Sequence, residues 1–215
     1  MQAVVMAGGE GSRLRPLTIN RAKPMVPIAN RYVMGHIVEL LKRHNFTDIV
    51  ATLQYRSDDI QNYFRDGSNF GVTMNYSVEP QPLGTAGSVK YAERYFSRDE
   101  PLLIISGDAL TDFDLTQVMD FHKRVGAAVT LTLYRVPNPL EYGVIIVDGQ
   151  GRIERFLEKP SWGEVISDTV NTGIYILEPE ILDMIPPKTE FDFSKDLFPT
   201  MLAQKTACPA ESWRC

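Results

Sequence analysis

The 215 residues are 44% hydrophobic and 23% charged, the composition of an ordinary globular domain, which excludes disordered, collagen-like and fibrous classes. The formal net charge of −5 argues against a general nucleic-acid binder, although one local basic patch would suffice for a small anionic substrate. No apolar run reaches the ~18–20 residues of a membrane-spanning helix, so neither nucleic acid nor membrane is expected as a partner. The two cysteines, Cys208 and Cys215, are too few and too close to the end for a disulfide framework. Met1 leads directly into apolar residues with no basic n-region, so no secretory signal is expected and a reducing cytoplasm is the expected location.

The run Gln2 to Met6 is continuously apolar and stops at Gly8-Gly9, which predicts a buried strand. From Tyr32 to Asn45, Val33, Ile37, Leu40 and Leu41 fall at helical spacing. Asp48 to Leu53 is the next predicted strand. Ser57 is the expected cap of a helix through Arg65, ended by Gly67. A strand over Val72 to Val78, a helix over Gly84 to Phe96, a strand over Pro101 to Ser106 and a helix over Asp114 to Arg124 follow. This alternation predicts a parallel-type sheet covered on both faces. Ala127 to Val136, Gly143 to Val147, Arg152 to Leu157 and Gly173 to Leu177 are strand-like with few helices between them. They predict a β-rich second half joined to the same sheet. No linker or repeat divides the chain, which therefore reads as one domain.

Charge is strongly polarised. Glu10 is the only acid in residues 1–38, against Arg13, Arg15, Arg21, Lys23 and Arg31. This basic stretch contains Ala7-Gly-Gly-Glu-Gly-Ser-Arg-Leu-Arg-Pro-Leu-Thr18, straight after the first strand. Glycines there let backbone N–H groups approach phosphate oxygens, and strand ends of α/β sheets are where ligands bind. The loop has neither the Gly-Lys-Ser/Thr of a P-loop nor the spacing of a dinucleotide fold. Ile104-Ile-Ser-Gly-Asp108 puts a carboxylate just beyond a buried strand, where it can share Mg²⁺ with phosphates. Glu158-Lys-Pro160 and Val170-Asn-Thr-Gly173 complete the set. Each has a plain structural alternative: a solvated basic loop, a tight turn, a surface hairpin with an ion pair, an Asn/Gly turn. His36, His44 and His122 lack metal-ligand spacing, and no serine or cysteine is placed as a nucleophile. Chemistry must then rest on positioning, cations and a metal.

Taken in order with Lys23-Pro-Met-Val-Pro-Ile28 and Pro82-Leu-Gly-Thr-Ala-Gly87, these motifs resemble the sugar-1-phosphate nucleotidyltransferase family from Met1 to about Leu202. The guanylyltransferase branch that uses mannose-1-phosphate is the most similar. The resemblance implies a Rossmann-like three-layer α/β/α fold with a mixed, mostly parallel sheet, and the reaction NTP + sugar-1-phosphate → NDP-sugar + pyrophosphate. It implies that Arg13, Lys23 and Asp108 are catalytic, with Asp108 a Mg²⁺ ligand. It places Ala7, Gly8, Gly9, Gly11, Ser12, Glu79, Gln81, Pro82, Gly84 and Thr85 at the nucleotide. Gly143, Glu158, Lys159, Asn171 and Thr172 match positions that hold the sugar and its phosphate. Relatives are often oligomers, so a homo-oligomer is compatible with it.

Glu79 matches the position that reads the base, and a carboxylate only accepts hydrogen bonds. Guanine offers two donors from one edge, whereas uracil and thymine offer one N–H between carbonyls. GTP is therefore favoured, with Gln81 as the competing contact and uridylyl or thymidylyl transfer to glucose-1-phosphate as the alternative. Relatives carry a second metal-binding Asp in a Trp-x-Asp-x-Gly pattern. Here Trp213 is followed by Arg214 and Cys215, so residues 203–215 read as an atypical tail. The expectation is weaker Mg²⁺ binding, with a catalytically silent nucleotide-binding subunit as the second alternative.

Overall fold

Val4 points to one face of the central sheet and Ala3 and Val5 to the other, and all three are fully buried. A strand covered on both faces must be apolar throughout, which is why its sequence reads as a run rather than an alternation. In the computed structural model, which describes residues 1–158, 161, 167–204 and 210–213 (the backbone alone for 158 and 210–213), this strand is β1 (Gln2–Met6). The ribbon β2 (Pro27–Ile28) and β3 (Arg31–Tyr32) precedes α1 (Val33–Arg43). Then come β4 (Asp48–Leu53), α2 (Ser57–Phe64), β5 (Thr73–Val78), α3 (Gly84–Tyr91), β6 (Leu102–Ser106) and α4 (Leu115–Val125). The second half holds β7 (Val129–Arg135), β8 (Gly143–Val147), β9 (Ile153–Glu158), β10 (Thr169–Leu177), α5 (Phe198–Ala203) and β11 (Ala210–Trp213).

Among the described residues the main sheet has nine strands, ordered β11-β7-β10-β6-β1-β4-β5, with the β8–β9 hairpin branching from β10. β1 is parallel to β4 and β6, and β4 to β5. β10 runs antiparallel to β6, β7 and β8, and β11 runs parallel to β7. The expected β-rich half thus joins the parallel half edge to edge. Met34, Ile37 and Leu41 of α1, Ile60 and Phe64 of α2, and Leu115 and Val118 of α4 pack on the Val5 face. Ala86 and Val89 of α3, with Phe193, Leu197, Phe198 and Met201, pack on the Val4 face. Three layers result, a Rossmann-like arrangement.

Strand order reverses at β1. The chain moves outward through β4 and β5, then crosses back to lay β6 on the other side of β1. The crevice beyond the carboxyl ends of β1 and β6 is the topological switch point, where open α/β sheets bind ligands.

Four local expectations need correction. Ser57 is not a cap but the first helical residue; Arg56, at φ 49°, precedes it, and no side chain caps the helix. The helix expected over Gly84 to Phe96 ends at Tyr91, after which Glu93–Tyr95 forms a separate 3-10 turn. The strand expected from Gly173 starts earlier, at Thr169, so Val170-Asn-Thr-Gly173 lies inside β10 and its structural alternative, an Asn/Gly turn, is not formed; the register with β7 shifts between Asn171 and Tyr175. Asp114, expected as the first residue of a helix, is instead the cap of α4, accepting from the Gln117 N–H at 3.0 Å. None of the described helices is long and apolar enough to cross a membrane.

Candidate active site

Two clefts open at the switch point. The first, of about 430 Å³, lies between the loop after β1, the start of α3 and the end of β6. The second, of about 640 Å³, lies between the β6–α4 loop, the end of β7 and β10. Ser106 and Asp108 line both, so one short segment at the end of β6 is the common wall.

The loop after β1 is fastened to its neighbours. The Ala7 N–H donates to Thr52 O at 2.9 Å and the Tyr55 N–H to Gly8 O at 3.2 Å. Gly11 is left-handed at φ 64°, and a Cβ there would stand 2.8 Å from Lys23 Cβ, so only glycine lets the chain fold back this closely. Thr18 Oγ1 donates to Gly11 O at 2.8 Å and closes the curl. The fold-back delivers Lys23 to the common wall, where its ammonium donates to Asp108 Oδ2. Asp108 Oδ1 accepts from Ser106 Oγ at 2.5 Å. Burial of the Asp108 carboxyl opposes ionisation, but the Lys23 and Ser106 hydrogen bonds and the Lys23 charge outweigh it and hold its pKa below the ordinary carboxylate value.

Arg13 borders the first cleft with no ion-pair partner among the described residues, while Arg15 pairs with Glu10 at 3.7 Å and Arg31 with Glu39 at 3.9 Å. Arg13 and Lys23 are thus the cations of this sequence's basic stretch that face the cleft. At the far end Glu79 is buried, and its Oε2 accepts from the Leu83 N–H at 3.1 Å. Burial pushes its pKa up, only partly offset by hydrogen bonds from Ser88 and Leu83.

Of the residues singled out from sequence, the structure brings Ala7, Gly8, Gly9, Arg13, Lys23 and Glu79 together on the wall of the first cleft, with Pro82, Gly84, Thr85 and Asp108. Gly11 and Ser12 are not on its wall; Gly11 acts through the fold-back. Gln81 is exposed and also off the wall. Asn171 and Thr172 line the second cleft, whereas Gly143 lines neither. The side chain of Glu158 and the whole of Lys159 lie outside the described residues, as do Arg214 and Cys215.

Several lining residues escaped the sequence. Ser106 stood in the Ser-Gly-Asp motif without a role, and Gln54 follows the carboxyl end of β4, where the strand-end rule could have found it. Asp192 reaches the first cleft from 107 residues beyond Thr85, whose hydroxyl donates to its Oδ2 at 2.8 Å. Phe113, Tyr134 and Tyr142 give the second cleft an aromatic wall.

For a divalent metal the described residues offer no group of three or more His, Cys, Asp or Glu. Asp108, with hard oxygens at the junction of both clefts, fits one carboxylate ligand of a Mg²⁺ whose remaining ligands would come from outside the chain.

A model of the nucleotidyl transferase family matches residues 2–213. The chain is 40% identical over 214 residues to a UTP–glucose-1-phosphate uridylyltransferase of Synechocystis sp., the match covering 94% of this chain and 55% of that protein. It is 36% identical over 209 residues to a mannose-1-phosphate guanyltransferase of Debaryomyces hansenii, covering 95% and 57% respectively. The chain therefore spans about half the length of the curated relatives it matches. Among solved structures, HddC from Yersinia pseudotuberculosis complexed with GMP-PN superimposes with a TM-score of 0.82 at 24% identity, over 99% of this chain and 90% of that one. That likeness shows the fold.

Proposed function

The chain belongs to the nucleotidyl transferase family, the sugar-1-phosphate nucleotidyltransferases, and on that premise we propose that it transfers a nucleoside monophosphate from an NTP to a sugar-1-phosphate. The carrying observation is the junction of two clefts at Ser106–Asp108, with Lys23 held there by Asp108.

In this proposal the first cleft takes the NTP, its phosphates lying against the Ala7–Gly9 backbone and Arg13. The second takes the sugar-1-phosphate, with Asn171 and Thr172 on its wall. Lys23 stands between two anions that would otherwise repel, and Asp108 fixes where its ammonium points. A phosphate oxygen of the sugar-1-phosphate, already ionised, bonds to the α-phosphorus as the bond to the β-phosphate oxygen breaks and pyrophosphate departs with that electron pair. No protein base is needed. Alignment and electrostatic stabilisation by Lys23 and Arg13 supply the rate. Mg²⁺, when held by Asp108 and the phosphates, neutralises triphosphate charge.

The base is proposed to be guanine, because buried Glu79 presents an acceptor to the two adjacent donors of that base. Mannose-1-phosphate is proposed as the acceptor, supported by relatives named mannose-1-phosphate guanyltransferase. Uridylyl transfer to glucose-1-phosphate is the second reading, favoured by the name of the 40% identical relative. Gln81, which would serve uracil better, lies outside the cleft. Calorimetric titration with GTP, UTP and dTTP tests the base: GTP should bind at least about fivefold more tightly, and equal affinities would overturn the guanine assignment.

A further inference from the structure

The two clefts share a wall in front, at Asp108, and are also joined from behind. Residues 189–197 dock on the first turn of α3: the Ala86 and Gly87 N–H groups each donate to Phe191 O at 3.0 Å, and the Phe191 N–H donates to Leu83 O at 2.9 Å. The contact is so close that a Cβ on Gly84, at φ 70°, would meet Phe191 O at 2.6 Å. Asp192 then caps the following turn, its Oδ1 accepting from the Ser194 N–H at 2.9 Å while its Oδ2 holds Thr85. From that turn Ser194 Oγ accepts from Asn171 Nδ2 at 3.0 Å, and the same amide nitrogen donates to the Tyr175 hydroxyl at 2.9 Å. Asn171 Oδ1 accepts from the Gly173 N–H at 2.9 Å.

Ser194 is not among the residues lining either cleft. Yet the side chain it holds is one of those lining the second. Both N–H bonds of the Asn171 amide are committed inside the protein, and one lone pair of its oxygen is used. Toward a ligand Asn171 has only the remaining acceptor capacity of Oδ1. An amide free to flip would instead offer donor or acceptor.

From this chain of contacts we infer that Ser194 is a positioning residue: it fixes Asn171 as an acceptor for a sugar hydroxyl and ties that orientation to the nucleotide cleft through Asp192 and Thr85. The inference rests on the proposal that the second cleft takes the sugar phosphate. Losing one such hydrogen bond without unfolding the site corresponds to about a 3- to 10-fold change.

Ser194→Ala should therefore raise KM for the sugar-1-phosphate about 3- to 10-fold while KM for the NTP moves less than about twofold. Ser194→Thr, which restores the acceptor, should return the sugar KM to the parent value. In the double variant with Asn171→Ala, Ser194→Ala should add nothing, because it acts through Asn171. An unchanged sugar KM, an equal rise in both KM values, or additivity in the double variant would overturn the inference. Should Ser194→Ala unfold, Ser194→Cys keeps the volume and weakens the acceptor. A readout independent of turnover is the side-chain amide signal of Asn171 in a ¹⁵N spectrum. It should shift in Ser194→Ala and return in Ser194→Thr, and an unmoved signal would overturn the inference even if no pair of substrates reacts. Absence of turnover in the parent chain would count against the proposed function alone.

Discussion

Lys23 donates to Asp108 across 85 residues of sequence, joining the loop after β1 to the loop after β6 at the place where strand order reverses. Each partner explains the other's position. The Gly11 fold-back brings the lysine in, and the end of β6 supplies the carboxylate. Because both side chains are partly exposed, at 28% and 36%, the pair is worth little to stability, and its value lies in placing the ammonium.

Lys23→Ala should accordingly cut kcat/KM by about 100-fold or more with Tm changed by no more than about 3 °C. Lys23→Arg should not restore the rate, because a planar guanidinium does not present a point charge in the same place. Steady-state kinetics beside thermal melts check both. A large fall in Tm with normal turnover would make the pair structural instead.

The pH profile follows from Asp108. Its pKa is held below the ordinary value, so the Lys23 contact is complete above the normal carboxylate range and is lost as pH falls through the lowered pKa. Activity should therefore persist into mildly acidic solution and fail on an acid limb below the ordinary carboxylate range, whereas Asp108→Asn should lower the rate at every pH and leave what remains without that limb. Rates from about pH 8 down to about pH 3, below the ordinary Asp value of about 3.9, with a fold monitor alongside, test it. An acid limb that survives in the variant would assign it elsewhere.

Glu79 carries the opposite sign. Burial raises its pKa, so ionising it costs the fold more than it costs the unfolded chain, and stability is lost as pH rises through the raised value. Glu79→Gln, which can still accept from the Leu83 N–H, should raise Tm at neutral pH and give no gain in acid. It should also weaken GTP relative to UTP by about tenfold, since an amide cannot accept from both guanine donors. Gain in stability with an unchanged nucleotide ratio would remove Glu79 from base selection.

Much of this was legible in the sequence because the signals are local. Apolar runs stopped by glycines gave the strands, and the helix expected over Asp114 to Arg124 is α4 to within one residue at each end. One wall of the first cleft was legible through Gly8, Gly9 and Lys23, which sit within one loop. The helix start at Ser57 was not, because the preceding residue, Arg56, takes a left-handed conformation that sequence does not advertise. Asn171 looked like part of a turn because its neighbours are Thr172 and Gly173. The strand there is set by pairing with β7, a contact made at distance. Asp192 and Ser194 were invisible as site residues because their meaning comes from Thr85 and Asn171, distant in sequence and brought near only by the fold.

His122 is a buried group away from both clefts, held between Thr130 Oγ1 at 2.9 Å and Glu178 Oε1 at 3.1 Å. Burial lowers its pKa, outweighing the pull of Glu178 in the other direction. The unfolded chain then binds the proton more readily, so stability should fall as pH drops from the ordinary histidine range through the lowered value. Melts between about pH 7 and pH 5 should show this slope, and His122→Gln should flatten it. An equal slope in the variant would place the titration elsewhere.

The most direct measurement is pyrophosphate release with Mg²⁺, over GTP, UTP, dTTP and ATP crossed with mannose-1-phosphate and glucose-1-phosphate. The proposed function predicts release that requires both substrates, is strongest with GTP and mannose-1-phosphate, and falls about 100-fold or more in Lys23→Ala. A folded chain that binds nucleotide yet releases nothing with any pair would contradict transfer at the Lys23–Asp108 junction and identify a binding module instead.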